Sequence, residues 1–195
     1  MDKRVERGQA TREQLLEVAI RLFAERGFEG TSIEAVLDAA SVSRGSLYHH
    51  FPSKEALFEA AFIEMEARIG TELANAGAGT TDPIAALRAG SLEWMRLAGD
   101  PTVQRVVLID APAVLGWERW RAIEEASALG MIKLAMQVAA ADGRLRPELA
   151  DAYAHMLLAT VNELAMVIAR ADDQAAAQRT AEAAIDELFS RLLGV

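Results

Sequence analysis

The sequence predicts an all-α protein of about nine helices, with a helix-turn-helix domain over residues 1–55 and a larger helical domain over residues 56–195. Three observations lead there. Apolar residues recur at i, i+3 and i+4 in segment after segment, and no stretch alternates as a strand would. Ser, Thr or Asp precedes many of these segments, and Gly or Pro ends them. One linker stands out, N75-A-G-A-G-T-T-D-P83, where Gly, Thr, Asp and Pro cluster.

The elements follow in order. Thr11-Arg12-Glu13-Gln14 reads as a capping box, followed at helical spacing by Leu15, Leu16, Ala19, Ile20, Leu22 and Phe23, with Gly27 as a stop. A second capping box, Thr31-Ser32-Ile33-Glu34, opens a short helix over 33–40. A turn at Ser41-Val42 leads to a third helix from Ser43 to Phe51, which Pro52 ends. Ser53 caps a fourth, carrying Leu57, Phe58, Ala61, Phe62, Met65 and Ile69 and connecting the two domains. After the linker, Asp82 and Pro83 open a helix that stops at Gly99-Asp100-Pro101. Further helices are expected over 101–109, with an interruption at D110-A-P-A113, then over 114–141, 147–171 and 174–193.

Composition limits what such a chain can do. Hydrophobic residues make up 52%, enough to bury a core. The absence of cysteine excludes disulfides and thiolate metal sites and fits a reducing compartment. The charged start, M1-D-K-R-V-E-R-G-Q-A-T-R12, has no signal-peptide core, and Asn162 and Glu163 break the most apolar run, 156–169. The expectation is a cytoplasmic protein with no membrane partner. The net charge of −9 argues against a polyanionic partner until it is divided. Residues 1–55 carry eight Lys/Arg against nine Asp/Glu, so most of the acidity lies beyond them, and segments 1–12 and 41–54 are locally basic.

The stretch S43-R-G-S-L-Y-H-H-F-P-S-K-E55 admits three chemistries: a metal site, a catalytic His/Tyr pair, or a helix facing a polyanion. His49 and His50, at i and i+1, do not face one another on a helix, and no carboxylate follows at ligand spacing. No partner motif activates Tyr48, and the chain has no catalytic triad, phosphate loop or HExxH motif. The expectation is no metal, no cofactor and no enzyme activity. What remains is geometric. Ile33, Val36 and Leu37 give the first short helix an inward face, and Leu47 and Phe51 do so for the second. Arg44, Ser46, Tyr48, His49 and His50 then point outward, the layout of a helix-turn-helix whose second helix enters the major groove. Lys54 adds a cation at the next helix start, where backbone N–H groups already attract anions; only in isolation would it read as an ordinary surface lysine. Lys3, Arg4, Arg7 and Arg12 read either as a groove-binding arm or as a solvated tail.

The segment from Thr11 to Phe58 resembles the DNA-binding domain of the TetR family of transcription regulators. The resemblance rests on A-x-x-L-F-A-E-R-G-F-E-G-T-S-I at 19–33, V-S-R-G-S-L-Y-H-H-F at 42–51 and P-S-K-E-A-L-F at 52–58. It implies a homodimer on a palindromic DNA operator, released when a small-molecule effector binds the C-terminal domain. The two recognition helices would lie about 34–36 Å apart. It further implies that Thr31 and Ser32 touch phosphate and that Ser43 caps the recognition helix near the backbone. Arg44, Ser46 and His49 would face base edges, Gly45 would allow close approach, and Tyr48, His50 and Lys54 would hold phosphates.

The C-terminal domain is less explicit. The 147–171 helix is apolar nearly all round, and the last helix carries Ala181, Ala184, Ile185, Leu188 and Leu192 as one stripe. These two helices are the expected homodimer interface. Candidate effector-binding residues are the bulky or soft side chains Trp94, Met95, Ile109, Trp117, Trp120, Met131, Met136 and Met156. Asp110 and Asn162 join them as polar residues within apolar runs. A competing reading is a helical small-molecule binding protein or enzyme whose N-terminal motif is a protein-contact module.

Overall fold

The computed structural model describes the backbone of residues 3–193 and the side chains of residues 8–191. Its α-helices are α1 (Lys3–Gly30), α2 (Ile33–Ala40), α3 (Arg44–His50), α4 (Lys54–Gly77), α5 (Pro83–Leu97), α6 (Ala111–Leu115), α7 (Trp117–Glu124), α8 (Gly130–Ala141), α9 (Ala150–Arg170) and α10 (Gln174–Leu193). Two π-helical segments, Val103–Asp110 and Glu125–Leu129, run into α6 and α8, and a 3-10 turn, Pro147–Leu149, leads into α9. The chain is all-α among the described residues. The side chains of Lys3, Arg4, Arg7 and Leu192 lie outside them.

Local chemistry fixes the helix starts. Ser32, Ser43, Ser53, Asp82 and Asp173 each accept a backbone N–H from the first turn of the helix that follows, at 2.9–3.3 Å. Three expectations are corrected. α1 is already helical at Lys3, so Thr11 lies inside it and opens nothing; Gln14 Nε2 donates to the Ala40 carbonyl at 2.9 Å. Asp110-Ala-Pro-Ala113 does not interrupt the chain. The Ala111 N–H donates to the Val106 carbonyl, and this wider π register admits Pro112 without a break. The break falls at Gly116, where φ is +76°. The single helix expected over 114–141 is therefore α7, a π segment and α8.

The structure divides into two compact units. The first comprises residues up to Met65 together with Pro101–Trp120. At its centre the rings of Phe23, Phe28 and Phe58 meet, Phe58 edge-on to both others at 5.0 and 5.3 Å. The Val103–Asp110 segment packs on α1 through Val103, Val106, Val107 and Leu108. At Gly27, φ +71°, the Arg105 guanidinium fills the space that a side chain would need.

The second unit comprises Glu66–Asp100 and the chain from Arg121 onward. Met95, Met136, Leu158, Ile168, Ile185 and Phe189 form its core. Arg144, just beyond α8, pairs with Asp82, the α5 cap, at 2.9 Å. Pro147–Arg170 is long and apolar enough, by length and composition alone, to cross a membrane. Its apolarity has a use here: Ala150, Ala154, Leu157, Leu158, Val161, Ala165 and Ile168 pack into this unit. α10 likewise buries Ala181, Ile185 and Phe189 against α5 and α9, while Ala184 is exposed.

Truncating Phe58, which touches both other rings, should cost about 3–5 kcal/mol. Urea unfolding of Phe58→Ala measures this, and a loss below about 1 kcal/mol would show that the aromatic cluster does not hold the unit together.

Candidate nucleic-acid interface and effector cavity

α3 presents the outward face that the sequence predicts. Leu47 is fully buried and Phe51 nearly so, while Arg44, Gly45, Tyr48 and His49 are exposed, Tyr48 to 42%. A Cβ placed on Gly45 would meet nothing within 4 Å, so the glycine leaves the outer surface clear. Arg44 forms an exposed ion pair with Glu34 of α2. Ser32 and Ser43 accept backbone N–H groups, which leaves each hydroxyl proton free to donate outward. Ser46 and His50 are half-buried. Burial, then the charges of His49 and Arg12, lower the His50 pKa, so its imidazole is a neutral donor at pH 7.

Two expected phosphate contacts are altered by the packing. Thr31 is 1% exposed, and its hydroxyl is turned inward to the carbonyls of Leu22 and Gly27, at 3.1 and 2.8 Å. It is withdrawn from the surface. Lys54 Nζ donates to the carbonyls of Phe28 and Thr31, at 2.9 and 3.1 Å, and sits 4.0 Å from the Phe28 ring centroid. Two of its three donors therefore close the end of α1, and one remains for another acceptor.

The second unit contains a cavity of about 430 Å³. α4, α5, α7, the Glu125–Leu129 segment, α8 and α9 line it, mostly with apolar side chains such as Ile69, Leu73, Leu87, Ile132 and Val138. Trp94, Met131 and Asn162 line it, as the sequence suggests. The other expected residues do not. Met95 is buried in the core, and Met136 and Met156 line a second hollow of about 240 Å³. Ile109, Asp110, Trp117 and Trp120 belong to the first unit. There Asp110 accepts the Phe28 N–H at 2.7 Å and pairs with Arg105 at 3.3 Å, and Trp117 leans on Trp120.

The polar residues that sequence reasoning missed are Glu66, Glu124 and Ser127. Each lies in phase with an apolar stripe, Glu66 with Phe62, Ile69 and Leu73, and Glu124 and Ser127 with Trp120 and Met131. That phase is the signal that could have found them. Glu124 accepts from Asn162 Nδ2 at 2.6 Å and from Arg121 at 3.1 Å. Burial, opposed by Arg121 and assisted by Glu66, raises its pKa to about 7. Ser127 Oγ lies 2.7 Å from a Glu66 carboxyl oxygen and 2.9 Å from the Glu124 carbonyl. The Ser127 hydroxyl donates to the Glu66 carboxyl oxygen, with the Glu124 carbonyl as a second acceptor close to the same proton. Burial raises the Glu66 pKa, and the hydrogen bond from Ser127 opposes it. The Trp94 indole N–H is buried without a partner. Among the described residues, no group of three His, Asp or Glu side chains is placed to hold a metal ion.

Comparison with known proteins adds the following. Residues 15–61 match the family model "Bacterial regulatory proteins, tetR family", and residues 84–192 match "Tetracyclin repressor-like, C-terminal domain". The HTH-type transcriptional regulator UidR of Escherichia coli K12 is 40% identical over 68 residues, 35% of this chain and 35% of UidR. The match thus spans about a third of that relative's length. The crystal structure of a TetR-family transcriptional regulator from Pectobacterium atrosepticum superposes with a TM-score of 0.84 at 27% identity, covering 99% of this chain and 98% of that one. FadR from Bacillus subtilis, solved in complex with stearoyl-CoA, shares the fold at 17% identity, with a TM-score of 0.75 and coverage of 94% and 98%.

The cavity carboxyls give stability a pH dependence. Glu124 keeps its proton up to about pH 7 when folded, whereas the unfolded group loses it near 4.5. Stability from this group is full below the lower value and falls as pH rises through the window. Glu124→Gln, neutral throughout, should gain on the parent protein by on the order of 2 kcal/mol between pH 4.5 and pH 8. Urea midpoints at pH 4.5, 6 and 8 read this difference, and a constant gap would refute it.

Proposed function

The chain belongs to the TetR family of transcriptional regulators, and on that footing we propose that it is a homodimeric repressor, released from a palindromic operator when a small apolar or aromatic effector fills the cavity of its second unit. It is a DNA-binding regulator of transcription and not an enzyme. The observation that carries the reading is the outward face of α3, where Arg44, Gly45, Tyr48 and His49 are exposed while Leu47 anchors the helix from beneath.

Each residue then has a role. Arg44 reads a base edge, most favourably a guanine. Its partner Glu34 does not prevent this, because an exposed ion pair is worth little and yields to a stronger contact. Ser46 and His49 share the base-facing surface. Tyr48, the free hydroxyl protons of Ser32 and Ser43, the neutral His50 and the third donor of Lys54 position the backbone. Residues up to 65 serve DNA binding, and the cavity-bearing unit serves effector binding and dimerisation.

The dimer contact falls to α9 and α10. α9 exposes Met156 and Val167, to 59% and 49%, on the side away from its buried residues. A two-fold axis would pair that face with itself. Effector binding lowers operator affinity through a coupling free energy between the sites, typically a 5–150-fold change. Such a regulator works in the cytoplasm, where it meets DNA. The stearoyl-CoA in FadR supports the view that this helical fold accommodates small molecules.

Operator binding by gel-shift separates the roles on α3. Tyr48→Ala should weaken binding to every sequence alike, and Arg44→Ala should relax discrimination at one base pair, worth roughly 1–3 kcal/mol. Gly45→Ala should raise stability by about 0.5–1 kcal/mol while weakening DNA binding. Unchanged binding in all three would remove DNA recognition from this face.

Effector response tests the cavity separately. Ala128→Trp, which fills the cavity from its lining, should keep operator affinity within about twofold and abolish release by whatever inducer the parent protein obeys. Normal induction in this variant would place the effector elsewhere.

A further inference from the structure

We propose that the effector is a lipophilic amine: an apolar body filling the cavity, with one protonated nitrogen held by Glu66 and Glu124. The assignment rests on the cavity being the effector site.

The lining decides the sign of the charge. Among the residues around the cavity, Glu66 and Glu124 are the only ionisable side chains, and neither Lys, Arg nor His reaches its surface. An anionic ligand would meet two carboxyl groups and no cation. Its own charge would lie in an apolar medium without compensation, which costs several kcal/mol. A neutral apolar molecule would leave the buried polar groups as it found them. The lining offers a negative group no cation, only neutral donors such as the Trp94 N–H, whereas two carboxyls favour a positive one.

The surroundings of Glu66 narrow the choice. Of the elements facing the cavity, α4 contributes Glu66 and α7 contributes Glu124, with Arg121 paired to Glu124 and to Glu125. α5, α8 and α9 contribute no charged side chain, only Ser91, Trp94 and Asn162 among the polar ones. Arg121 thus compensates Glu124, together with Glu125, and does not pair with Glu66. Glu66 has only the hydrogen bond from the Ser127 hydroxyl, and no cation faces it. An ammonium group supplies the missing charge. As it binds, any proton that Glu66 or Glu124 holds passes to solvent and leaves a carboxylate facing the ammonium, so amine binding releases protons. The unpartnered Trp94 N–H offers a further donor for an oxygen elsewhere on the same molecule.

Six probes test this on the full-length protein by titration calorimetry at pH 7: 1-aminodecane and 4-phenylbutylamine, their alcohols and their carboxylates. The amines should bind roughly tenfold or more tightly than the alcohols, with the carboxylates weakest. Repeating the amine titrations in buffers of different ionisation enthalpy should show release of up to one proton, absent for the alcohols. Glu66→Gln should cut amine affinity about tenfold or more and reduce proton release, with a much smaller effect on the alcohols. Glu124→Gln should also weaken the amines, which keeps the test open if Glu66→Gln does not fold. Alcohols or carboxylates that bind as tightly as the amines and release operator DNA overturn the amine assignment while the effector cavity stands. Failure of all six to bind removes both.

Discussion

A seven-residue helix cannot keep its shape alone in water, because the unfavourable nucleation of its first turn is not repaid over so few residues. α3 has that length. Its existence and its orientation therefore depend on the burial of Leu47 and Phe51, one turn apart, against the rest of the first unit. Once those two side chains are inward, Arg44, Tyr48 and His49 have no choice but to face out. Removing them from the core would disorder the outward face itself.

The end of α1 supports the same arrangement from the other side. Gly27 breaks the helix with a positive φ, and the following turn leaves backbone groups that need partners. Lys54 takes the carbonyls of Phe28 and Thr31, Asp110 takes the Phe28 N–H, and the Thr31 hydroxyl turns back to Leu22 and Gly27. Three segments of the chain converge on one turn and leave it satisfied. Lys54 illustrates how one side chain serves two ends: its stem and two donors fix the turn, and its last donor faces whatever lies beyond. A change at Lys54 would thus alter the scaffold as well as any phosphate contact.

How much of this was legible in the sequence follows from the range of the forces involved. Periodicity and caps act within a few residues, so α2, the turn and α3 could be read almost residue by residue, as could the caps Ser43, Ser53 and Asp82. Contacts between distant segments could not. Asp110 reads as an oddity in an apolar run, and its partner lies 82 residues away. Without that partner the sequence gives it no place except among the polar residues of an apolar run. Ile109, Trp117 and Trp120 lie in the first unit too, since bulk and softness say nothing about which unit a side chain joins. The capping box assigns the α2 cap to Thr31, but Ser32 caps α2 and packing turns the Thr31 hydroxyl inward. Pro112 misled because its usual effect assumes an α register, and the chain is in a π register there.

The cavity breaks the rules that the rest of the second unit obeys. A close-packed interior fills its voids, yet a hollow of about 430 Å³, partly open to solvent, is left within an apolar lining. Buried carboxyls ordinarily find a cation, yet Glu66 has a serine. Buried indole N–H groups ordinarily find an acceptor, yet that of Trp94 has none. Each departure costs stability, and all three fall on one surface. A sequence that satisfied folding alone would place Leu or Met at 66 and 124 and close the space. Departures from local consistency concentrate where a protein does something besides fold. The second unit is thus less stable empty than it could be, and a molecule that fills the space and supplies the missing charge recovers what folding alone leaves unused. Binding of that kind favours the filled state over every alternative, which a regulator requires if its effector is to shift an equilibrium and not merely occupy a site.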